Sequence, residues 1–278
     1  MANVNFTELD KGPLGRETDY PSTYTPSLLH SMGRAAARAK VGVQDAGSLL
    51  GEDLWTGYEL SWLDSQGKPI VAGLRFRVPC QSPAIVESKS IKLYLNSFAQ
   101  TKFENQTDVL RTLDQDLTLA FRSPVIIELL ELSQLLGPVQ QLPGQCLDDL
   151  DIHTDIYERD PNLLTLDESD VTVSETLYSH IFRSLCPVTA QPDWASISIE
   201  YHGSPISRKG LLKYLISYRN HQAFHETTIE QIFCDIRNIC APQKLSVYGR
   251  FQRRGGLDIN PFRSMDENSA PLCRLPRQ

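Results

Sequence analysis

The stretch SISIEYHGSPISRKGLLKYLI, residues 196–216, decides the fold of this chain. Its first residues alternate polar and apolar side chains, the pattern of a strand with one buried face. Gly-Ser-Pro at residues 203–205 then favours a turn, and Ser207 can cap a helix that starts directly after it. We therefore predict a strand followed by a helix. The apolar face of that helix carries Leu211, Leu212, Leu215 and Ile216.

A second helix and another strand follow this stretch. Apolar residues recur at helical spacing between residues 229 and 239, which predicts an amphipathic helix. LSVYGRF, residues 245–251, is typical of a strand, and it leads to Arg-Arg-Gly-Gly, residues 253–256, which favours a turn. The apolar face of the second helix carries Ile229, Ile232, Phe233, Ile236 and Ile239.

The first half of the chain repeats this order of elements. LWTGYELSWL, residues 54–63, and LRFRV, residues 74–78, lie on either side of a Gly-Lys-Pro turn and predict a strand pair. Asn105 or Thr107 can cap a helix, and VIIELLEL, residues 125–132, predicts a returning strand. The repetition predicts an α+β fold with two modules of one architecture, although the halves share too little identity to prove a duplication. The helix carries Val109, Leu110, Leu113, Leu117 and Phe121 on one face.

Shifts in composition divide the chain into four parts. Residues 1–50 are rich in Gly, Pro, Ser and Thr, and we interpret them as an N-terminal arm. An acidic stretch with several prolines separates the two modules. We predict a first module at 51–140, a connection at 141–175 and a second module at 176–278 that contains Cys186.

The overall charge and the cysteines limit the class of protein. With a net charge of -7, a broad attraction to nucleic acid is not expected, so a bound nucleotide needs a local basic site. The most apolar stretch, residues 125–136, is broken by Glu128 and Glu131, which excludes a membrane span there, and residues 1–10 lack the apolar core of a signal peptide. The six scattered cysteines then indicate reduced thiols in the cytoplasm.

The first candidate site is the segment ESKSIKLY, residues 87–94, which we place just before or within an alternating strand. Glu87 can accept two hydrogen bonds from the N–H groups of a guanine-like ring, and Lys89 can contact a phosphate. The alternative is an edge strand that its lysines protect from pairing. Neither standard nucleotide-binding loop, GxGxxG after a strand or GxxxxGK[ST], occurs in the chain.

The second candidate is Cys186, which we place at the end of a short helix. Asp193 lies seven residues later, beyond a loop that contains Pro187 and Pro192, so a thiol and an acid can face one cleft. The alternative is that Cys186 is a small buried hydrophobic residue. The face of the predicted helix carries Leu177, Ile181, Phe182 and Leu185.

Two more patterns could bind a ligand. His225 and Glu226 open the last long helix, where the helix dipole favours a negative charge, although the pattern is also that of an N-terminal cap. Arg-Arg-Gly-Gly at residues 253–256 can hold a phosphate through guanidinium and amide groups, or be a plain basic hairpin turn. A zinc site lacks the usual short ligand spacing. Its candidate ligands would be Cys186, His225, Cys234 and Cys240.

Taken together, these strings resemble one family, the NADPH-dependent 7-cyano-7-deazaguanine reductases of queuosine biosynthesis, in their long two-module form. The resemblance is carried by ESKSIKLYLNSF at residues 87–98, by Cys186 with QPDW at 191–194, by FHE at 224–226 and by RRGGLDINPFRS at 253–264. Ile91 is a conservative departure from the leucine of the family. The strings LGRETDY, residues 14–20, and YELSWL, residues 58–63, also match.

The resemblance implies a fold and a set of roles. The fold is the tunnelling fold, here two tandem ββααββ-like modules, and the assembly is a homodimer that binds a small 7-deazapurine but no nucleic acid, membrane or metal. Cys186 is then the nucleophile, Asp193 the proton donor and His225 a further catalytic group. The substrate residues are Glu87, Ser88, Lys89, Phe224, His225 and Glu226, and the NADPH residues are Lys89, Ser90, Arg254 and Gly255.

The implied chemistry suits these residue types. Addition of a thiolate to a nitrile gives a thioimidate, which accepts hydride far more readily than the nitrile does. Two NADPH are needed for each amine, and the imine formed on the way must be shielded from water. Two alternatives stay open: a zinc-dependent GTP cyclohydrolase-like enzyme, and a non-catalytic purine- or pterin-binding protein that makes no use of Cys186.

Overall fold

The computed structural model describes residues 12–13, 19–40, 42–43, 49–136 and 138–278. The first part contains β1 (Ser31–Gly33), α1 (Ala35–Lys40), β2 (Leu50–Leu63), β3 (Pro69–Pro79), β4 (Ala84–Val86), α2 (Ser88–Asn96), α3 (Gln106–Phe121) and β5 (Ile126–Leu130). The second contains β6 (Gln145–Cys146), β7 (Val173–Leu185), β8 (Pro192–Gly203), α4 (Arg208–Ile216), α5 (His225–Cys240), β9 (Lys244–Phe251) and β10 (Leu257–Ser264). Short 3-10 turns occur at Pro26–Leu28, Leu132–Leu136, Pro161–Leu163 and Ser217–Asn220.

One eight-stranded sheet joins the two halves of the chain, in the order β5-β3-β2-β10-β9-β8-β7-β6. The strands pair antiparallel except for the short β6, which pairs parallel with β7. The joint between the halves is β2 against β10, paired from Leu257 with Gly57 to Ser264 with Leu50. Since the register runs along this joint without interruption, the halves form one continuous sheet.

Helices cover one face of this sheet and form two large cores with it. In the first, α2 and α3 pack on β2 and β3, where the rings of Trp55 and Phe76 stack 5.3 Å apart. In the second, α4 and α5 pack on β7, β8 and β9 around residues such as Ile197 and Phe233. The fold is therefore a mixed α and β architecture, as predicted.

Most of the predicted elements are confirmed. The β2–β3 hairpin, α3, β5, β8, α4, α5 and β9 all lie where the patterns place them. Asn105, not Thr107, caps α3, because its side chain accepts a hydrogen bond of 3.0 Å from the amide of Asp108. Ser207 precedes α4 without a capping hydrogen bond from its side chain. Ile239 is exposed on α5, so the predicted apolar stripe ends one turn earlier.

The prediction of a strand at the ESKSIKLY segment is wrong. Residues 88–96 form α2, and Glu87 takes the N-cap position. The separation of Ile91 and Leu95, four residues, is compatible with one face of a strand and with one face of a helix. Tyr94 and Phe98 are also fully buried, and the four residues together have the spacing of a helix that packs on the first core.

The prediction of a short helix before Cys186 is also wrong, because that segment is the strand β7. Its pairing with β8 shifts between Ser179 and Phe182, which marks a bulge. A bulge inserts an extra residue and breaks the alternation of buried and exposed side chains. Leu177 and Phe182 are consequently both buried, although a regular strand would place residues five apart on opposite faces.

The predicted arm is only partly described, whereas the predicted connection, residues 141–175, is described throughout. Residues 1–11, 14–18, 41 and 44–48 lie outside the described residues, and so does most of the LGRETDY string. The described part of the arm holds β1, which pairs with β4, and α1. The four boundaries therefore stay predictions. No helix in the described ranges combines the length and apolarity that a membrane crossing requires.

Candidate active site

The end of the β7–β8 hairpin holds Cys186 close to Asp193. Ser184 pairs directly with Asp193, and beyond this pair the amide of Cys186 donates to the carbonyl of Gln191 at 2.9 Å. Ala190, with φ of 54°, reverses the chain in the left-handed region. Because side chains alternate along strands, Ser184, Cys186 and Asp193 share the buried face that points towards the helices.

The first turn of α5 brings His225 to the same place. Its Nε2 lies 3.2 Å from Oδ2 of Asp193, and its ring stacks on Phe251 at 3.8 Å with the planes 4° apart. Burial lowers the pKa of His225, and this effect outweighs the opposing one of Asp193. The imidazole is therefore neutral near pH 7 and can take up or release a proton.

Asp193 is the centre of this arrangement, because each of its oxygens contacts a different partner. Oδ2 faces His225, while Oδ1 accepts a hydrogen bond of 2.5 Å from Nη1 of Arg254. Arg254 stands at the β9–β10 hairpin, where Gly255 and Gly256 have positive φ values of 61° and 81°. A buried acid thus lies between a thiol-bearing strand end, an imidazole and a guanidinium.

Glu226 is buried on the next position of α5. Burial raises the pKa of Glu226 to about 7, and the nearby Asp53 adds to this, while Arg34 and Arg263 oppose it. The predicted benefit of the helix dipole is therefore outweighed by desolvation. Near neutral pH the carboxyl group exists in both protonation states, so its neighbours decide which form prevails.

A narrow pocket lies between these groups, at the junction of the two halves of the chain. The first half supplies residues from the β4–α2 segment, and the second half supplies the hairpin loops and the start of α5. A ligand in this pocket would touch a carboxyl pair, an imidazole and a guanidinium at once. The lining is Val86, Ser88, Pro187, Asp193, Phe224, His225, Glu226, Arg254 and Ile259.

Comparisons with known proteins match nearly the whole chain. Residues 20–129 match the family model described as "Nitrile reductase, 7-cyano-7-deazaguanine-reductase N-term", and residues 192–270 match the "QueF-like protein" model. A relative from Dechloromonas aromatica, named NADPH-dependent 7-cyano-7-deazaguanine reductase, is 51% identical over 93% of this chain and 92% of its own length. The chain belongs to this reductase family.

Further relatives agree with this assignment. Proteins of the same name from Burkholderia ambifaria and Chromohalobacter salexigens are 50% and 48% identical, each over 97% of this chain and over 99% and 98% of their own lengths. A crystal structure of the archaeosine synthase QueF-Like in the apo form covers 37% of this chain and 100% of its own, at 18% identity and a TM-score of 0.31. That similarity is too low to support an argument.

In this member of the reductase family, the ESKS segment contacts the N-terminal arm. Glu87 is buried, and its amide donates to the carbonyl of His30 at 3.0 Å. Nζ of Lys89 donates to the carbonyl of Pro13 at 2.9 Å. The hydroxyl of Ser90 donates to the carbonyl of Glu87 and accepts from the amide of His30. Of the four residues of this segment, Ser88 is the one that lines the pocket.

The β9–β10 hairpin and α2 together form a cationic surface next to the pocket. A Cβ atom added to Gly255 would lie 3.2 Å from Cδ of Lys92, so this lysine reaches the hairpin turn. Arg253 lies over the ring of Tyr58 at 4.5 Å. Guanidinium, ammonium and the exposed amides of a glycine turn are suited to phosphate groups, so these residues fit a phosphate-bearing cofactor. Lys92 was not among the predicted cofactor residues, because a strand would place it on the face opposite to Lys89. In the helix α2 it lies one turn after Lys89.

The described residues do not form the alternative zinc site. Within the described ranges no three His, Cys, Asp or Glu side chains are grouped so that they could hold a metal ion. Cys234 and Cys240 instead pack in the second core on α5. The four candidate ligands, Cys186, His225, Cys234 and Cys240, therefore do not support the cyclohydrolase alternative.

A group of buried charges below the pocket was not predicted from the sequence. It consists of five side chains, four from helices and strands and one from the residue between β1 and α1, and all are at most 5% exposed. We call it the ion network. Its members are Arg34, Arg38, Asp53, Glu230 and Arg263.

Proposed function

We propose that this protein reduces 7-cyano-7-deazaguanine to 7-aminomethyl-7-deazaguanine with NADPH, as a step of queuosine biosynthesis. Membership of the reductase family supports the reaction. The observation that carries the site assignment is that Cys186 and Asp193 share the buried face at the end of the β7–β8 hairpin, with His225 at the start of α5 in contact with Asp193.

The first step of the proposed mechanism is a covalent addition. Sulfur of Cys186 bonds to the nitrile carbon, one π bond of the C≡N group breaks, and the thiol proton is transferred to the nitrile nitrogen through Asp193. The product is a thioimidate on Cys186 with no leaving group. Neutral His225, in contact with Asp193, can hold or return this proton.

When bound, NADPH would supply the hydrides, and two molecules would be needed for each amine, one for the thioimidate carbon and one for the imine carbon that remains after the C–S bond breaks and sulfur returns to Cys186 as a thiolate. Lys89, Ser90, Arg254 and Gly255 would bind it, with Lys92 alongside. For Arg254 to reach a phosphate, it must release Oδ1 of Asp193.

The purine ring would be held by carboxylates. Ionised Glu226 can accept two hydrogen bonds from the ring N1–H and the 2-amino group, and such charge-assisted pairs are strong. Glu87, Ser88, Lys89 and Phe224 would complete the substrate site. Burial of Glu226 and Cys186 excludes water from the reacting groups and would protect the imine from hydrolysis.

The wider assignments are part of the same proposal. Two tandem ββααββ-like tunnelling-fold modules are supported by the repeated order of β2, β3, α2, α3 and β7, β8, α4, α5. We propose that the protein acts as a homodimer in the cytoplasm and binds no nucleic acid directly.

The test is the mass of the protein after mixing it with the nitrile in the absence of NADPH. We expect an increase by the whole mass of the substrate, since addition to a nitrile expels nothing. Cys186→Ala should show neither the adduct nor turnover, while Cys273→Ala, at a half-buried cysteine in the C-terminal segment, should show both. An adduct on another cysteine, or NADPH oxidation by Cys186→Ala, would contradict the assignment.

A further inference from the structure

The ion network is built around two carboxylates, each contacted by arginines from different elements. Asp53 on β2 contacts Arg34 at 2.5 Å and Arg263 at 2.8 Å. Glu230 on α5 contacts Arg38 at 2.7 Å and Arg263 at 2.9 Å. The network therefore ties the arm to β2, β10 and α5.

The ion network lies directly beneath Glu226. Glu226 and Glu230 are four residues apart on α5, so they share one face of the helix. Arg34 is 4% exposed, and within the described part of the chain its Nη1 has no hydrogen-bond partner; Oε1 of Glu230 lies 3.6 Å from it. One buried cationic N–H group thus lies without a hydrogen bond beside Glu230, one helical turn from Glu226 on the same face of α5.

Charges from several elements act on Glu226. Asp53 opposes its ionisation, whereas Arg34 and Arg263 favour it. His225, Arg254 and Asp193 line the same pocket above it. Arg38 and Glu230 are further buried charged groups on this side of α5, and Glu87 is a buried carboxyl group at the start of α2.

We infer that Arg34 is a positioning residue for Glu226: through the ion network, the N-terminal arm holds the substrate-binding carboxylate in the ionised form that the purine ring requires. The inference rests on the proposed function for the identity of the ring. Arg34 belongs to the segment that precedes α1, which is anchored by its amide on the carbonyl of Pro83 at 3.0 Å. Docking of the arm and binding of the substrate are thereby linked through one carboxyl group.

If the ion network only stabilised the fold, its variants would behave differently. Buried ion pairs contribute little net stability, because desolvation offsets their attraction. Loss of one charged partner would then lower the free energy of unfolding at every pH. Loss of a positioning charge would instead change the pH at which the substrate binds, and the sign of the change would follow the sign of the charge removed.

The experiment measures KM for the nitrile as a function of pH in four proteins: wild type, Arg34→Gln, Asp53→Asn and the double variant. In Arg34→Gln the midpoint of nitrile binding should rise by about one pH unit, which raises KM about fivefold at pH 7 and leaves it near the wild-type value at pH 9. In Asp53→Asn the midpoint should fall by a similar amount, and the double variant should return towards wild type. KM for NADPH should stay the same.

Two controls separate the possible outcomes. Arg159→Gln breaks the ion pair with Asp235, which lies nine residues after Glu226 on α5, and it should leave the midpoint unchanged. A titration of 13C-carboxyl-labelled glutamate by NMR, with the Glu226 signal assigned by its loss in Glu226→Gln, follows the carboxyl group directly. Shifts of opposite sign in Arg34→Gln and Asp53→Asn would support the inference. Absent shifts, shifts of one sign, or a uniform loss of binding at every pH would overturn it.

Failure of the proposed function gives a different result. Wild-type protein that oxidises no NADPH in the presence of the nitrile would contradict that function, while the NMR titration would still decide whether Arg34 and Asp53 control Glu226. A normal wild-type rate together with an unshifted Glu226 signal would overturn the inference and leave the function intact.

Discussion

The helices α3 and α5 occupy corresponding places in the two halves of the chain, yet their buried faces differ in chemistry. Each has 16 residues, follows a shorter helix, and ends at a residue with positive φ, Arg122 at 55° and Ala241 at 45°. The buried side of α3 is apolar, with residues such as Val109 and Leu113. The buried side of α5 carries Glu226, Glu230 and Asp235 as well as apolar residues.

The N-termini of the two helices differ in the same sense. Asn105 caps α3 with a side-chain hydrogen bond, whereas Phe224 precedes α5 without one. Leaving helix amides uncapped and burying carboxyl groups both lower stability. Since α5 does both next to Cys186 and Asp193 and also packs in the second core, the comparison indicates that α3 supports the fold alone, whereas α5 supports both the fold and the candidate site.

The largest expected effect is that of Asp193→Asn. Loss of the acid removes the proton donor and the contact with His225, so kcat should fall by about 10²- to 10⁴-fold and adduct formation should slow accordingly. Stopped-flow measurement of the adduct and steady-state oxidation of NADPH would test this. A rate within a few-fold of wild type would remove Asp193 from the mechanism.

Asp116 on α3 provides the matched control for Asp193. It accepts hydrogen bonds from the hydroxyl groups of Tyr24 and Tyr94, outside the pocket. Asp116→Asn should lower the melting temperature and leave kcat per folded molecule unchanged. If both variants lost activity alike, the distinction between the two helices would be wrong.

The second effect concerns ligand binding by α5. Glu226→Gln should weaken binding of the nitrile by about 100- to 1,000-fold, because two charge-assisted hydrogen bonds are lost, and should leave NADPH binding unchanged. Calorimetry with each ligand on the Cys186→Ala background measures the two affinities without the covalent step. Equal losses for both ligands would contradict the role of Glu226 in ring recognition.

Local patterns were enough to predict the β2–β3 hairpin, α3, α5 and β9, because each element shows its own periodicity on one buried face. They failed where two periodicities coincide, as at Ile91 and Leu95 in α2, and where the bulge after Ser179 breaks the alternation of β7. In both places pairing or packing with distant residues selects the structure.

The residues of the candidate site could be predicted only in part, and they were predicted from their sequence spacing and family strings instead of from periodicity. Cys186, Asp193, His225 and Glu226 lie close together in sequence or match a family string, so they could be named. The ion network could not, since Arg38 contacts Glu230, which is 192 residues away in the chain. Such a contact leaves no local signal in a single sequence.

The third effect is on stability and its dependence on pH. The pKa of Glu226 is about 7 in the folded protein and 4.5 ordinarily, so the folded state binds the proton more tightly. Its contribution to stability is complete below pH 4.5 and is lost as the pH rises through 7. Relative to wild type, Glu226→Gln should therefore gain roughly 2–3 kcal/mol in unfolding free energy between pH 4.5 and 8, measured by urea denaturation.

Glu230 should show the opposite trend on the same helix. The arginines of the ion network lower the pKa of Glu230, so its contribution is present above the ordinary pKa and is lost as the pH falls. Glu230→Gln should consequently destabilise the protein most at neutral pH and least in acid. Parallel pH profiles for the two variants would contradict the electrostatic account of α5.

The smallest effect compares the two helix starts. Asn105→Ala removes the cap of α3 and should lower the unfolding free energy by about 1 kcal/mol, with kcat/KM unchanged, because the cap lies away from the pocket. Phe224→Asn offers α5 the cap that it lacks, which offsets the lost packing of a half-buried ring and keeps stability within about 1 kcal/mol of wild type. It should nevertheless raise KM for the nitrile about tenfold, since Phe224 lines the pocket. A Phe224→Asn protein with an unchanged KM would mean that α5 begins with phenylalanine for reasons of folding and not of binding.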